Sequence, residues 1–226
     1  MYKLINSIPI QQKSIIIVPV IYQQDINQET KIAIWKIEEE EDFFLDFVPI
    51  NRSIKHPKKR LQHLAGRYLL QHLFPDFPYN EIMIADTKKP FLADHKYHFS
   101  ISHTKDYAAA IVSSCCRVGV DIEIPTHKAS IIADKFIHPS EYHLIDKLAD
   151  SNDKNYFDTL LWCAKEAMFK WWGLGNVDFK EMLRIDNIEN GNGLKLHARF
   201  IAENETQSLT LQHNNLEGLC LIWVAS

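Results

Sequence analysis

The 226-residue sequence has few glycines and prolines, little net charge and no long apolar run. Its 7 glycines and 9 prolines are scattered, and 46% of its residues are hydrophobic, which argues against a disordered or low-complexity chain. The 25 basic and 29 acidic residues give a net charge of -4, so the basic excess typical of proteins that bind nucleic acid or anionic lipid is missing.

Membrane spans and soft-metal motifs are missing as well. The longest apolar run, Ile15 to Ile21, is interrupted by Pro19 and is too short for a membrane span or a signal peptide, so we expect a cytoplasmic protein. The 4 cysteines form no C-x-x-C pair, and the 11 histidines form no H-E-x-x-H or H-x-H arrangement. A zinc or redox site is therefore disfavoured, and the cysteines are predicted to be reduced, mostly buried thiols.

Apolar spacing predicts strands and helices in mixed order. Alternation predicts early strands at Ser14–Tyr22 and Lys31–Ile37, middle strands at residues 97–103, 107–113 and 117–124, and four more after residue 180. Three- and four-residue spacing predicts amphipathic helices between Pro57 and Pro75 and at Tyr156–Trp172, with a helix broken at His138 and Pro139 between residues 126 and 148. The sequence thus favours an α+β fold.

The order of strands, helix and strands occurs roughly twice along the chain. This repetition predicts two similar α+β halves. We expect an N-terminal half at residues 1–106 and a C-terminal half at residues 107–226, packed as a pseudo-twofold monomer. No Pro- or Ser-rich linker separates the halves, so they should form one body.

Paired carboxylates are the first candidates for chemistry. Asp121 and Glu123 lie at positions i and i+2 of one predicted strand, so both project from the same face. Two adjacent negative charges repel unless a hard cation or basic groups neutralise them. On the helix at residues 156–172, Glu166 either supplies a third carboxylate or forms an ordinary i to i+4 ion pair with Lys170.

Five sequence elements resemble those of one enzyme family. V-G-V-D-I-E at Val118–Glu123 and W-C-A-K-E-A-M-F-K at Trp162–Lys170 resemble the two signature motifs of 4′-phosphopantetheinyl transferases. F-S-I-S-H at Phe99–His103, K-K-P-F at Lys88–Phe91 and F-I-H-P-S-E-Y at Phe136–Tyr142 resemble three further elements in family order. The basic helix with Arg60, Gly66 and Arg67 also resembles the family's first helix. The resemblance therefore covers about residues 56 to 175. The chain is most similar in pattern to the larger, surfactin-synthetase-activating type, a pseudo-dimer of two α+β halves.

The sequence departs from the family pattern at two of these elements. Ser100 stands where the family has Asn in its F-N-I-S-H element, and Lys88 stands where the family usually has Gly before Lys-Pro. Neither residue is a predicted metal ligand.

The resemblance implies an enzyme that transfers the 4′-phosphopantetheine moiety of coenzyme A to a serine hydroxyl of an apo acyl or peptidyl carrier protein, releasing 3′,5′-ADP. It implies that Mg²⁺ is held by Asp121, Glu123 and Glu166, with Glu123 as the ligand that water replaces in some relatives. Glu166 is also the candidate base that takes the serine proton, with a metal-bound water as an equal alternative. Lys170 is expected to contact the reacting phosphate.

The remaining site residues are those that the resemblance assigns to coenzyme A. Lys165, Ser102 and His103 are expected near its phosphates, Arg60 and Arg67 are further phosphate partners or simply solvated surface, and Lys89 and Pro90 line the adenine pocket. Taken without the resemblance, Ser102 and His103 are equally compatible with a turn residue and a core histidine. Glu141 is expected to orient a basic neighbour.

Two rival functions are compatible with the same residue types. A metal-dependent phosphoesterase that acts on a nucleotide pyrophosphate also uses two or three carboxylates and a lysine. A module that docks carrier proteins without chemistry requires a missing catalytic group, and none is missing. The pathway that the carrier serves is not specified by these motifs.

Overall fold

The computed structural model describes residues 20–48, 54–148, 153–191, 193–203 and 205–226. Its strands are β1 Val20–Asp25, β2 Thr30–Lys36, β3 Ile82–Ile84, β4 Pro90–Leu92, β5 His98–Thr104, β6 Tyr107–Ser113, β7 Val118–Glu123, β8 Leu183–Gly191, β9 Gly193–Ala202, β10 Glu205–Leu216 and β11 Leu219–Ala225. Its helices are α1 Glu41–Leu45, α2 Pro57–Leu73, α3 His127–Ile131, α4 Ala133–Phe136 and α5 Lys154–Trp172, with 3-10 helices at Tyr79–Glu81 and Pro139–Lys147.

The predicted α+β class is confirmed. The early strand predicted at residues 14–22 is described only from residue 20, and its earlier part lies outside the described residues. The segment predicted as a broken helix consists of α3, α4 and the 3-10 helix, and the chain does leave helical geometry at His138. There His138 and Glu141 form a capping box, which satisfies the backbone N–H groups at the start of the 3-10 helix.

The first sheet has the antiparallel strand order β1-β2-β6-β5, and α2 packs on one of its faces. Alternation along β2 and β6 puts small and aromatic residues under the helix, including Ala33, Trp35 and Ala108, all fully buried. A Cβ added to Gly66 of α2 would lie 2.5 Å from the Ile101 side chain. The missing side chain therefore lets the helix approach β5.

The second sheet has the antiparallel order β7-β11-β10-β9-β8, and α5 crosses its β7 end. Asp153 caps the start of α5 by accepting the Tyr156 N–H, and Gly173 ends it with a φ of 74° that favours glycine. A Cβ added to Gly119 of β7 would lie 2.0 Å from the Ala167 carbonyl oxygen. This glycine in the V-G-V-D-I-E string thus lets α5 approach β7 closely.

The two sheets pack against each other through a third apolar cluster. Its members are the residues of β2, β6, β7 and β11 that face away from the helices, namely Ile32, Ile34, Ala109, Ile111, Val118, Val120, Ile122, Leu219, Leu221 and Trp223. The edge strands β5 and β7 meet at a seam, where the Val120 N–H donates to the Ser100 hydroxyl over 3.1 Å. The opposite face of β7 therefore turns Asp121 towards α5 beside this seam.

The chain passes from the first sheet to the second between Ser113 and Val118. Strand β6 begins at Tyr107 and pairs with β2 and β5 of the first sheet. The division of the molecule at residues 106 and 107 into two domains stays a prediction.

Two of the four cysteines are buried, as predicted, and two are not. Cys163 and Cys220 are fully buried, whereas Cys116 is half-buried and Cys115 is exposed in the connection between the sheets. Among the described residues, no helix has the length and apolar character needed to cross a membrane.

Candidate active site

Three polar side chains from three elements form a closed triangle at the seam. The Lys170 ammonium of α5 donates to Asp121 Oδ1 over 2.6 Å and to Ser102 Oγ over 2.9 Å. The Ser102 hydroxyl of β5 in turn donates to the same Asp121 oxygen over 2.6 Å. Asp121 is 3% exposed, so this contact holds a buried carboxylate next to a cation.

The protonation of this triangle follows from its charges. Burial by itself would lower the pKa of Lys170, but the carboxylates of Asp121 and Glu166 outweigh that effect and raise the pKa. Lys170 is therefore a permanent cation at neutral pH. Its side chain is 24% exposed, so a ligand in the site can reach it.

Glu123 and Glu166 lie within electrostatic reach of Asp121 and are half-buried. Burial, followed by repulsion from Asp121, raises the pKa of each carboxyl to about 7, while Lys170 acts in the opposite direction. Thr104 of β5 donates a hydrogen bond to Glu123 Oε2 over 3.1 Å. The structure thus brings both glutamates into one coupled cluster with Asp121 and Lys170.

The cluster fits a hard cation such as magnesium in its donor chemistry. Carboxylate oxygens are the ligands that magnesium prefers, and Asp121 Oδ2 is buried with no hydrogen-bond partner among the described residues. Within that same part of the chain, no three His, Cys, Asp or Glu side chains converge closely enough to hold a metal ion. A magnesium ion held by all three carboxylates therefore requires Glu123 and Glu166 to come closer to Asp121.

Lys165 is not brought to this site, contrary to the expectation that it contacts the coenzyme A phosphates. Its ammonium is fully buried and donates to Glu141 Oε2 at 2.8 Å, to the Phe136 oxygen at 2.6 Å and to the Phe179 oxygen at 3.1 Å. Burial lowers the pKa of Lys165 and the Glu141 carboxylate opposes that shift. With its three protons donated inside the protein, Lys165 ties α5 to the 3-10 helix.

Glu141 orients a basic neighbour, as predicted. Its Oε1 accepts from the Ile185 N–H of β8 over 2.7 Å, and its Oε2 accepts from Lys165 and from the His138 N–H. Glu141 is fully buried, so a pairing of this kind is required. The F-I-H-P-S-E-Y element is therefore structural support for α5 in this protein.

The two arginines of α2 lie apart from the triangle. Arg60 is ion-paired with Glu41 of α1, its Nε donating over 2.7 Å. Arg67 lies beside Tyr79, whose hydroxyl donates to the Arg67 backbone oxygen. A contact with phosphate stays a prediction for both arginines. To make it, Arg60 would have to give up its ion pair with Glu41.

His103 follows Ser102 on β5, so its ring points to the opposite face of the strand, where it is exposed. Partial desolvation lowers the pKa of the ring, and the positive charges of Lys170 and Lys59 act in the same direction. The contact of His103 with a coenzyme A phosphate stays a prediction.

Lys89 and Pro90 line two neighbouring cavities of about 340 and 210 Å³ between β4, β5 and the end of α5. The Lys89 ammonium donates to the Lys170 backbone oxygen over 2.5 Å, so it sits at the negative end of the α5 dipole. Burial and then the nearby Arg117 charge lower the pKa of Lys89 to about 8. The smaller cavity also touches Lys170, which joins it to the triangle.

Sequence reasoning missed the polar residues that line the larger cavity beside Lys89. His95, His98 and Arg117 line it together with Lys89, and the aromatic ring of Trp172 forms an apolar wall. His98 shares the strand alternation of Ser102, and Arg117 directly precedes the V-G-V-D-I-E string, so their positions offered a signal. Histidines and an arginine scattered over 23 positions form no pattern until the fold gathers them.

Comparison with known proteins supports one family. Residues 117–224 match the family model of the 4′-phosphopantetheinyl transferase superfamily. The chain is 29% identical to the 4′-phosphopantetheinyl transferase gsp of Aneurinibacillus migulanus, over 68% of this chain and 57% of that protein. It is 28% identical to the 4′-phosphopantetheinyl transferase HetI of Nostoc sp., over 56% and 57% of the two chains.

A third relative is the enterobactin synthase component D of Salmonella typhi, which is 33% identical over 50% of this chain and 48% of that protein. The matched region of this chain spans about half the length of these curated relatives. The match covers β7 and β11, which carry and flank Asp121 and Glu123, and all of α5. Over residues 117–224 the chain is therefore similar to the 4′-phosphopantetheinyl transferase superfamily.

Proposed function

We propose that this protein transfers the 4′-phosphopantetheine moiety of coenzyme A to a serine hydroxyl of an apo acyl or peptidyl carrier protein and releases 3′,5′-ADP. The observation that carries the proposal is the triangle of Lys170, Asp121 and Ser102, whose Lys170 also lines the smaller cavity together with Lys89. The names of the relatives support the transfer of phosphopantetheine. The cluster of Asp121, Glu123 and Glu166 supports a reaction at a phosphate group. A pseudo-dimeric enzyme type is supported by the two sheets, each covered by its own helix.

The cavities are suited to the nucleotide end of coenzyme A. That end carries several phosphate charges and a flat purine, so it requires cations and an apolar wall. Lys89 and Arg117 supply positive charge, His98 supplies a hydrogen-bonding ring whose pKa is lowered by burial, and Pro90 and Trp172 supply apolar surface. Lys170 then faces the phosphate that reacts, because it lies where the smaller cavity meets the triangle.

The carrier serine must lose a proton as its oxygen attacks the β-phosphate and the bond to the 3′,5′-ADP oxygen breaks. A general base must lie close to the group whose proton it takes, and Glu166 lies in the same charge cluster as Asp121 and Lys170. We assign Glu166 this role, with the serine proton passing to its carboxylate. Lys170 stabilises the charge that develops on the phosphate.

We also propose magnesium as the cofactor, held by Asp121, Glu123 and Glu166. The ion would supply positive charge beside the pyrophosphate of coenzyme A. The support is the unpartnered Asp121 Oδ2 and the mutual repulsion of three carboxylates in a partly buried site. The balanced composition further supports a cytoplasmic monomer that binds neither nucleic acid nor membrane.

The test is carrier modification. Protein, magnesium chloride, coenzyme A and a panel of apo carriers are mixed, and the mass of each carrier is measured; a gain of about 340 Da, one phosphopantetheine, is expected from the cofactor's chemistry. Glu166→Gln should lower kcat and flatten the acidic side of the pH profile, whereas the exposed Glu203→Gln should change neither. Cleavage of coenzyme A without a mass gain on any carrier would instead indicate a phosphoesterase.

A further inference from the structure

Strand β5 presents a hydroxyl group at every second position along the seam. The Ser100 oxygen accepts the Val120 N–H, the Ser102 hydroxyl donates to Asp121, and the Thr104 hydroxyl donates to Glu123. These contacts measure 3.1, 2.6 and 3.1 Å. They run in step with β7 because side chains at i, i+2 and i+4 share one face of a strand.

These hydroxyls connect two strands that belong to different sheets. β5 is the edge of the first sheet and β7 is the edge of the second, so the two are not joined by a backbone ladder. The acidic residues belong to β7, whereas the groups that orient them belong to β5. Each half of the molecule therefore contributes one side of the carboxylate cluster.

We propose that Thr104 is a positioning residue, which fixes the Glu123 carboxylate from across the seam so that it faces Asp121 and the cation proposed above. A glutamate has several side-chain torsions, and a hydrogen bond to one oxygen restricts them. Partners of this kind set the orientation of metal-binding carboxylates. The effect of Thr104 on catalysis rests on the proposed function, whereas the hydrogen bond between Thr104 and Glu123 does not.

Thr104 gives a cleaner test than the other two hydroxyls. Ser102 also accepts from Lys170, so its removal would disturb the triangle directly. Ser100 bonds to backbone and supports the seam itself. The described hydrogen bond of the half-buried Thr104 side chain goes to Glu123, so its removal affects that carboxylate first.

The experiment compares Thr104→Val, Thr104→Ser and Thr210→Val with the wild-type full chain. Valine keeps the shape of threonine without the hydroxyl, and serine keeps the hydroxyl. Thr210 is an exposed strand residue of β10, two strands away from β7, and controls for the same change of side chain. The readouts are Mn²⁺ binding by electron paramagnetic resonance, the KM and kcat of carrier modification, and the Tm.

Thr104→Val should weaken Mn²⁺ binding roughly tenfold or more and lower kcat/KM to a similar extent, as loss of a metal-orienting partner does. Thr104→Ser should remain within about threefold of wild type, and Thr210→Val should match wild type. A Thr104→Val protein that binds Mn²⁺ like wild type overturns the inference, as does one whose entire loss follows a lowered Tm. A Thr104→Ser protein that is as impaired as Thr104→Val would also overturn the inference.

The two proposals fail in different ways. A wild-type chain that binds Mn²⁺ but modifies no carrier contradicts the proposed function and leaves the Thr104 inference supported by the binding series. A wild-type chain that modifies carriers while binding no Mn²⁺ contradicts the Thr104 inference and leaves the transfer activity standing.

Discussion

The two halves of the molecule share one plan, a sheet with a long helix packed on it, but they differ in what lies under the helix. Beneath α2 the first sheet is apolar, with Trp35 packed edge-on against Tyr68 at 4.9 Å. Beneath α5 the second sheet presents Asp121 and, further along β7, Glu123. Burying carboxylates costs free energy that an apolar face does not, so their presence marks the half that carries chemistry.

The halves also fasten their helices differently. The first uses an aromatic cluster of Trp35, Phe44 and Tyr68, and the second uses the buried Lys165–Glu141 ion pair. The glycine that allows close approach lies on the helix in the first half and on the strand in the second. The first half thus holds its helix mainly by apolar contacts, and the second adds a buried ion pair.

The largest expected effect comes from the carboxylate that the first half lacks. Asp121→Asn should lower carrier modification about a thousandfold, because it removes the charge that faces Lys170 and the proposed cation. The exposed Asp186→Asn on β8, which loses only a surface ion pair with Arg199, is the control. Activity of Asp121→Asn within tenfold of wild type would contradict its role.

Loss of the buried Lys165–Glu141 ion pair should have the next largest effect. Lys165→Met leaves the Glu141 carboxylate buried without its cation, and we expect the free energy of unfolding to fall by about 3 to 5 kcal/mol. The exposed Lys128→Met should change it little. The double variant with Glu141→Gln should lose less than the sum of the two single variants in urea denaturation, and strict additivity would show that the pair acts as two independent groups.

The two close-packing glycines should respond in different degrees. The new Cβ of Gly119→Ala meets the α5 backbone at 2.0 Å, so we expect a loss of about 3 kcal/mol. In Gly66→Ala the nearest atom belongs to the movable Ile101 side chain, and alanine favours a helix over glycine by about 1 kcal/mol, so the net change should be small. Equal losses of unfolding free energy for the two variants, measured by denaturant unfolding, would contradict this difference between the halves.

The last effect is a pH dependence that arises from two carboxyls of the second half. Glu123 and Glu166 have pKa values raised from 4.5 to about 7, so the folded protein retains protons that the unfolded chain has released. Their contribution to stability is complete below pH 4.5 and is lost as the pH rises to 7. Without divalent cations, Glu166→Gln should have the higher Tm at pH 8 and the same Tm as wild type near pH 4; a pH-independent difference would contradict this assignment.

Some features could be predicted from the sequence because they depend on local spacing. Strand alternation put Asp121 and Glu123 on one face, helical spacing defined α5, and Gly173 marked its end. The strings at residues 118–123 and 162–170 indicated the same family that residues 117–224 match. Lys165 illustrates the limit, since it lies inside a matching string and yet is turned into the core by its place on the helix.

By itself, the sequence determined the α+β class, the family resemblance and the strand and helix that carry the carboxylates, because neighbouring residues set each of these. Only the tertiary structure decided that Ser102 and Thr104 of one sheet hold Asp121 and Glu123 of another, and that Lys89, His98 and Arg117 line one cavity. Those contacts join residues far apart in the chain. Their physical origin is the packing of two sheets edge to edge, which local spacing does not encode.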